Sequence, residues 1–265
     1  MKFLLATGLM ATTAVAFAGD ECCPPQQVVA HPTALIKNAN PLPATVVTGT
    51  LEGMAKFDGE RPKLEDIEVT AEKSEGCGEV DKTNFDAVIS KDGGVANVVV
   101  FVEVKGAEVK PLEEAVVLDQ KGCRFVPHVV CVPTDTMIEF KNSDEVSHNV
   151  HTYPKKNAAM NKTIPAGASA EFKVEKTDEI AVKCDIHPWM KSHLIVTDTP
   201  FIAVSGADGK FSIAGLPAGE HKVEWWHETL GKGKGKVNVG DDGSVEALEI
   251  KLSAEKKKSG GRRRR

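Results

Sequence analysis

Beyond residue 18, no segment of this chain sustains the 3.6-residue apolar repeat that an amphipathic helix needs. Short runs rich in β-branched and aromatic residues recur instead, at 97–104, 125–132, 136–141, 180–183, 193–196, 201–204, 222–226 and 248–252. Turn signals separate them: Asp58-Gly59, Asp92-Gly93-Gly94, Asp208-Gly209 and Asp242-Gly243. Many short strands at such spacing predict an all-β protein of β-sandwich modules. The length of 265 residues allows more than one domain. The division expected after residue 44 is a β module over 45–109, a second over 110–197 and a third over 198–254.

Residues 1–18 read as a targeting segment. Lys2 supplies a positive start, the following residues are small and apolar, and Ala16-Phe17-Ala18 fits a small-residue cleavage motif. The apolar run is too short to span a bilayer. The expectation is a removed signal peptide and a soluble protein in a periplasmic or extracellular space. Residues 19–44 are rich in Pro, Gln, Ala and Asn without periodicity and read as a linker. Residues 255–265 hold seven Lys and Arg and read as a basic disordered tail. Without Lys2 and that tail, 25 basic residues face 37 acidic ones. Such a body excludes charge-driven binding to nucleic acid or anionic membrane and favours a basic partner.

An exported chain with six cysteines calls for disulfides. They are Cys22, Cys23, Cys77, Cys123, Cys131 and Cys184, with no Cys-x-x-Cys pair. Cys77 and Cys123 each adjoin a glycine, where turns permit close approach, and are expected to pair across the first two modules.

The chemistry concentrates in Cys184-Asp185-Ile186-His187-Pro188-Trp189-Met190, which puts a thiolate, an imidazole and a thioether on one short loop between strands. A second imidazole is available upstream at His148, within Ser147-His148-Asn149-Val150-His151. Two imidazole nitrogens and a thiolate in a plane, with a weak axial Met, suit an ion cycling between Cu(I) and Cu(II). Zinc also accepts Cys and His, but a Met ligand suits it poorly. His128, His221 and His227 read as packing or capping residues, and His151 as a surface neighbour of the loop.

The order Asn-x-Asp at 142–144, His-Asn-Val-His at 148–151 and Cys-x-x-His-x-x-Met at 184–190 resembles the cupredoxins. The short loop with Pro after its His is most similar to the amicyanin and plastocyanin branch. The likeness covers about residues 111–198. It implies a Greek-key sandwich over 110–197 holding one copper through His148, Cys184, His187 and Met190, with Asn149 steadying the ligand loops. It also implies an electron carrier rather than an enzyme, serving a c-type cytochrome or a periplasmic dehydrogenase. Residues 206–223 resemble the transthyretin-like sandwich of carboxypeptidase regulatory domains, which carries no chemistry of its own.

Two other functions compete. A multicopper oxidase or nitrite reductase needs His-x-His pairs for further copper, and the sequence contains none. A non-redox binding module, or an accessory subunit of a copper oxidoreductase, would keep the sandwich as a scaffold. Within the electron-carrier reading, a loop this short places His187 nearest solvent, with Ile186, Pro188, Trp189 and Met190 forming an apolar docking patch.

Overall fold

The computed structural model describes residues 47–254. The expected signal, linker and basic tail, with Cys22 and Cys23, lie outside the described residues. Among the described residues, sixteen strands and one short 3-10 turn make up the regular structure, so the fold is all-β as the sequence predicts.

Nine strands build the first sandwich. One sheet runs β5 (Val129–Pro133), β11 (Lys191–Thr197), β10 (Asp178–Lys183), β7 (His148–Tyr153), β8 (Asn161–Ile164). The facing sheet runs β4 (Phe125–Val126), β3 (Val116–Gln120), β6 (Thr136–Asn142), β9 (Ser169–Val174). Alternate side chains of β6, β9 and β10 point inward, which is the period-2 pattern of a sheet with one wet face. Leu118, Ile138, Phe140, Val150, Ile180, Val182 and Leu194 fill the space between the sheets. The run expected at 125–132 is two strands. Pro127, with no N–H to give a ladder, stands between β4 and β5.

The second sandwich corrects the three-module division. β1 (Thr48–Phe57) lies between β13 (Lys210–Pro217) and β16 (Leu248–Leu252). β2 (Val99–Glu103) lies between β12 (Ile202–Val204) and β14 (Gly219–His227), with β15 (Gly231–Val239) at the edge. The segments 45–109 and 198–254 therefore complete each other's sheets around a shared core of Leu51, Val100, Phe211, Ile213, Val223 and Ile250. Strand β1 alone could not bury its apolar face; paired antiparallel with β13 and parallel with β16, it buries Leu51 and Ala55 completely. The site-bearing sandwich is an insertion between β2 and β12.

The sandwiches meet through Val99, Ile202 and Trp226 on one side and Val129, Cys131 and Ile195 on the other. Beside this contact, the buried Glu228 carboxylate pairs with His128 and His193 and takes Lys191 at 3.3 Å. His128 and His227 are buried packing residues, and His221 reaches the Pro217 carbonyl, as the packing reading of all three expects.

Residues 58–84 leave the second sandwich and lie along the first. Ile67, Val69, Cys77 and Val80 pack onto its core. Arg124 holds this excursion by donating to the carbonyls of Asp81 and Thr83. The crossing brings Cys77 to Cys123, and the two form the expected disulfide.

Candidate metal centre

Strands β10 and β11 pair down to Lys183 and Lys191, so the seven residues between them must close in one tight loop. Two hydrogen bonds close it: Cys184 N–H donates to the Met190 carbonyl at 3.2 Å, and Met190 N–H to that of His187 at 2.9 Å. Met190 is fully buried and Cys184 nearly so, both within the apolar core. His148 opens the adjacent strand β7 and is fully buried.

Three of the four ligand residues expected from sequence, His148, Cys184 and His187, thus come together, and Met190 is buried at the end of the same loop. Nδ1 of His148 lies 2.9 Å from Nδ1 of His187, and Cys184 Sγ lies 3.7 Å from that same nitrogen. One donor atom from each of His148, Cys184 and His187 falls within 4.8 Å of the others, an arrangement suited to holding a metal ion. The donor chemistry fits copper: one soft sulfur, two imidazole nitrogens and a buried thioether-bearing residue in the same loop.

The surroundings fix these donors. The backbone N–H groups of Asn149 and His187 each point at Cys184 Sγ from 3.4 Å, stabilising negative charge on sulfur. Asn149 Oδ1 accepts the Asp185 N–H at 3.1 Å while its amide donates to Asn161 at 2.6 Å, tying β7 to the ligand loop and to β8. The resemblance implied this steadying role. His148 is held from behind by Asp144, whose Oδ2 is 2.7 Å from Nε2. Such partners set ring orientation and ligand basicity. Burial holds the His187 imidazole below its ordinary pKa; the neighbouring His148 adds to this, while Asp144 and the Lys73 backbone oppose it. The neutral ring is the form that can ligate.

Sequence reasoning placed His187 and Trp189 at the surface, and here the structure corrects it. His187 is 3% exposed and Trp189 8%. Trp189 turns inward, donating its Nε1–H to the Cys123 carbonyl at 3.0 Å and packing 5.3 Å from the His187 ring. The excursion covers the outer edge of His187, with Cys77 Sγ 3.7 Å from Nε2. Asp185, Ile186 and Pro188 are the exposed members of the loop. His151 stays outside the donor group, pairing with Asp185 and stacking on Tyr153 at 4.2 Å.

Sequence reasoning did not assign a role to Asp144 or to the residues over His187. The only local signal was Asp144 standing four residues before His148, the spacing of their hydrogen bond. Nothing local could place Cys77, 110 residues away from His187 in sequence.

No protein-family model matches the chain, and no curated protein matches it. Among solved structures, a copper-containing nitrite reductase from Thermus scotoductus SA-01 aligns at 24% identity and TM-score 0.31, over 37% of this chain and 25% of that one. A purple cupredoxin from Nitrosopumilus maritimus aligns at 18% identity and TM-score 0.28, over 31% and 99%. Amicyanin from Paracoccus versutus aligns at 17% and 0.30, over 32% and 84%. The chain spans a quarter of the nitrite reductase. Superpositions at this score carry no argument about chemistry, which rests on the donor geometry above. No structural relative for the transthyretin-like resemblance is among these alignments.

Proposed function

We propose that the chain is an exported electron carrier holding one copper ion through His148, Cys184, His187 and Met190. The observation that carries this is the convergence of Cys184 Sγ with the Nδ1 atoms of two buried histidines, each braced from outside the donor set. Copper in such a set supplies a one-electron Cu(I)/Cu(II) couple. The protein's part is to hold sulfur and nitrogen at fixed separations, so that neither oxidation state can rearrange them far. Asp144 and Asn149 do this for the two loops, and the apolar core excludes water.

With His187 and Trp189 covered, partner contact falls to Ile186 and Pro188, the exposed apolar residues beside the ligands. The acidic body would draw a basic redox partner, such as a c-type cytochrome or a periplasmic dehydrogenase, and raise the encounter rate. Copper added to the purified protein should give an intense visible thiolate-to-Cu(II) absorption that a reductant bleaches. A colourless copper-loaded protein would refute the assignment.

A further inference from the structure

The His187 imidazole has two faces of soft-metal chemistry. Nδ1 faces His148 and Cys184. Nε2 faces the sulfur of Cys77 at 3.7 Å, and Cys77 is bonded to Cys123. One ligand atom from each of Cys77, Cys123 and His187 lies within 4.8 Å of the other two. A disulfide placed for stability alone needs no contact with a ligand imidazole.

This disulfide also anchors the cover over the site. His148, Cys184, His187 and Met190 are each at most 3% exposed, so an ion reaches them only if a covering element moves. The covering element is the segment 70–77, built from successive turns: Ser74 N–H bonds the Thr70 carbonyl, and Cys77 N–H that of Ser74. It contains no strand, most of it is exposed, and it rests against Val146, just before His148. Its covalent anchor is Cys77, flanked by Gly76 and Gly78, both in the left-handed region where glycine moves freely.

We propose that Cys77 and Cys123, once reduced, form with Nε2 of His187 a second soft-metal site, through which Cu(I) is loaded into the buried centre. The choice of Cu(I) as cargo rests on the copper reading above. Reduction requires a dithiol reductant of the exported space. A thiolate of the reductant attacks Sγ of Cys77, the less buried cysteine of the pair, forming a mixed disulfide and expelling the Cys123 thiolate. The second reductant thiol then displaces Cys77. The protein disulfide gains two electrons and two protons, and the reductant leaves as a disulfide. Cu(I) displaces the two thiol protons as it binds. A neutral imidazole has one free lone pair, so His187 serves either Nε2 or Nδ1 at a time. Occupation of the two sites therefore alternates, which is what transfer across the ring requires.

The test uses the mature Cys184→Ser protein, which lacks the thiolate of the inner centre. Anaerobic Cu(I) is partitioned against a chromophoric Cu(I) chelator, before and after treatment with dithiothreitol that is then removed. Reduction should tighten Cu(I) retention by at least about tenfold, and adding Cys77→Ser should abolish the gain. In the parent protein, copper uptake by the inner centre should be at least about tenfold faster after reduction. Equal retention in the variant, or equal uptake rates in the parent, would overturn the proposal. A blue parent whose Cys184→Ser form gains nothing on reduction refutes the loading site alone. A colourless parent whose variant does gain refutes the electron-carrier reading alone.

Discussion

Asp144 Oδ2 lies 2.7 Å from Nε2 of His148, and the same carboxylate accepts the backbone N–H groups of Gly122 at 2.6 Å and Cys123 at 2.8 Å. One side chain therefore fixes both the first ligand and the loop that carries half of the disulfide. Asp144→Asn keeps the shape but removes the charge that makes His148 a strong donor. Copper affinity should fall by about 10- to 100-fold with the fold intact, as read by competition with a Cu(II) chelator. An unchanged affinity would show that the carboxylate only braces the loop.

Cys184→Ser should remove the visible absorption of the copper-loaded protein, because a hydroxyl cannot replace the soft thiolate. Absorption spectra of parent and variant under equal copper loading decide it. Persistence of the blue colour would move the thiolate role elsewhere, and Cys131, the other free cysteine among the described residues, is buried with its thiol pKa pushed up to about 12.

Met190→Leu nearly conserves volume in the fully buried position, so folding should survive. Copper should remain bound while the reduction potential shifts, since a thioether from Met190 would tune the couple that His148, Cys184 and His187 would hold. Protein-film voltammetry reads this directly. Complete loss of copper would make Met190 a principal ligand.

The grouping of His148, Cys184 and His187 was legible because its signal is local: Cys184 and His187 share one loop, and His148 opens a strand marked by its own motif. The disulfide was legible from two glycine-flanked cysteines. What lay beyond sequence was every relation that the chain makes at long range. Strand β1 carries no mark telling that its partners are β13 and β16, near the other end of the chain. Trp189 looks like an exposed aromatic until the Cys123 carbonyl, 66 residues upstream, takes its N–H. The cover over His187 is a turn-rich stretch without periodicity, brought there by the Cys77–Cys123 bond, the packing of Ile67, Val69 and Val80, and the Arg124 hydrogen bonds.

That burial reverses an expectation about Trp189. In an exposed patch, Trp189→Asp would alter partner docking alone. Here it removes a packed ring and leaves a carboxylate in an apolar pocket, so stability should fall by at least about 3 kcal/mol. Urea denaturation of copper-free parent and variant measures the loss. Ile186, 42% exposed, is the better probe of docking. Ile186→Asp should slow electron exchange with a redox partner at every salt concentration and leave the copper spectrum unchanged.

Stability should also depend on pH through the contact between the sandwiches. Burial lowers the pKa of His227 to about 4, with His128 and His193 contributing and Glu228 and the Ala96 backbone opposing. Its Nδ1 accepts the N–H groups of Thr229 and Leu230, both at 3.2 Å, so a proton there would break two bonds. The groups around the cluster are Glu228, His128, His193, Lys191 and Asp86. The Glu228 carboxylate, hydrogen-bonded by His128 and His193 against the cost of its burial, is held well below the usual carboxylate range, so its stabilisation is lost as pH falls through the ordinary carboxylate range, mostly below about pH 5. His227 behaves oppositely to a histidine that gains a partner. Above pH 6.5 it is neutral in both states and contributes nothing. As pH falls from 6.5 towards 4, the unfolded chain takes up a proton that the folded chain refuses, and stability is lost. Between pH 7 and 5 the loss should be about 2 kcal/mol. Urea titrations at the two pH values read it, and His227→Gln should shrink the difference even if it lowers stability at both. A variant with the parent's full pH dependence would place the titrating group elsewhere in the cluster.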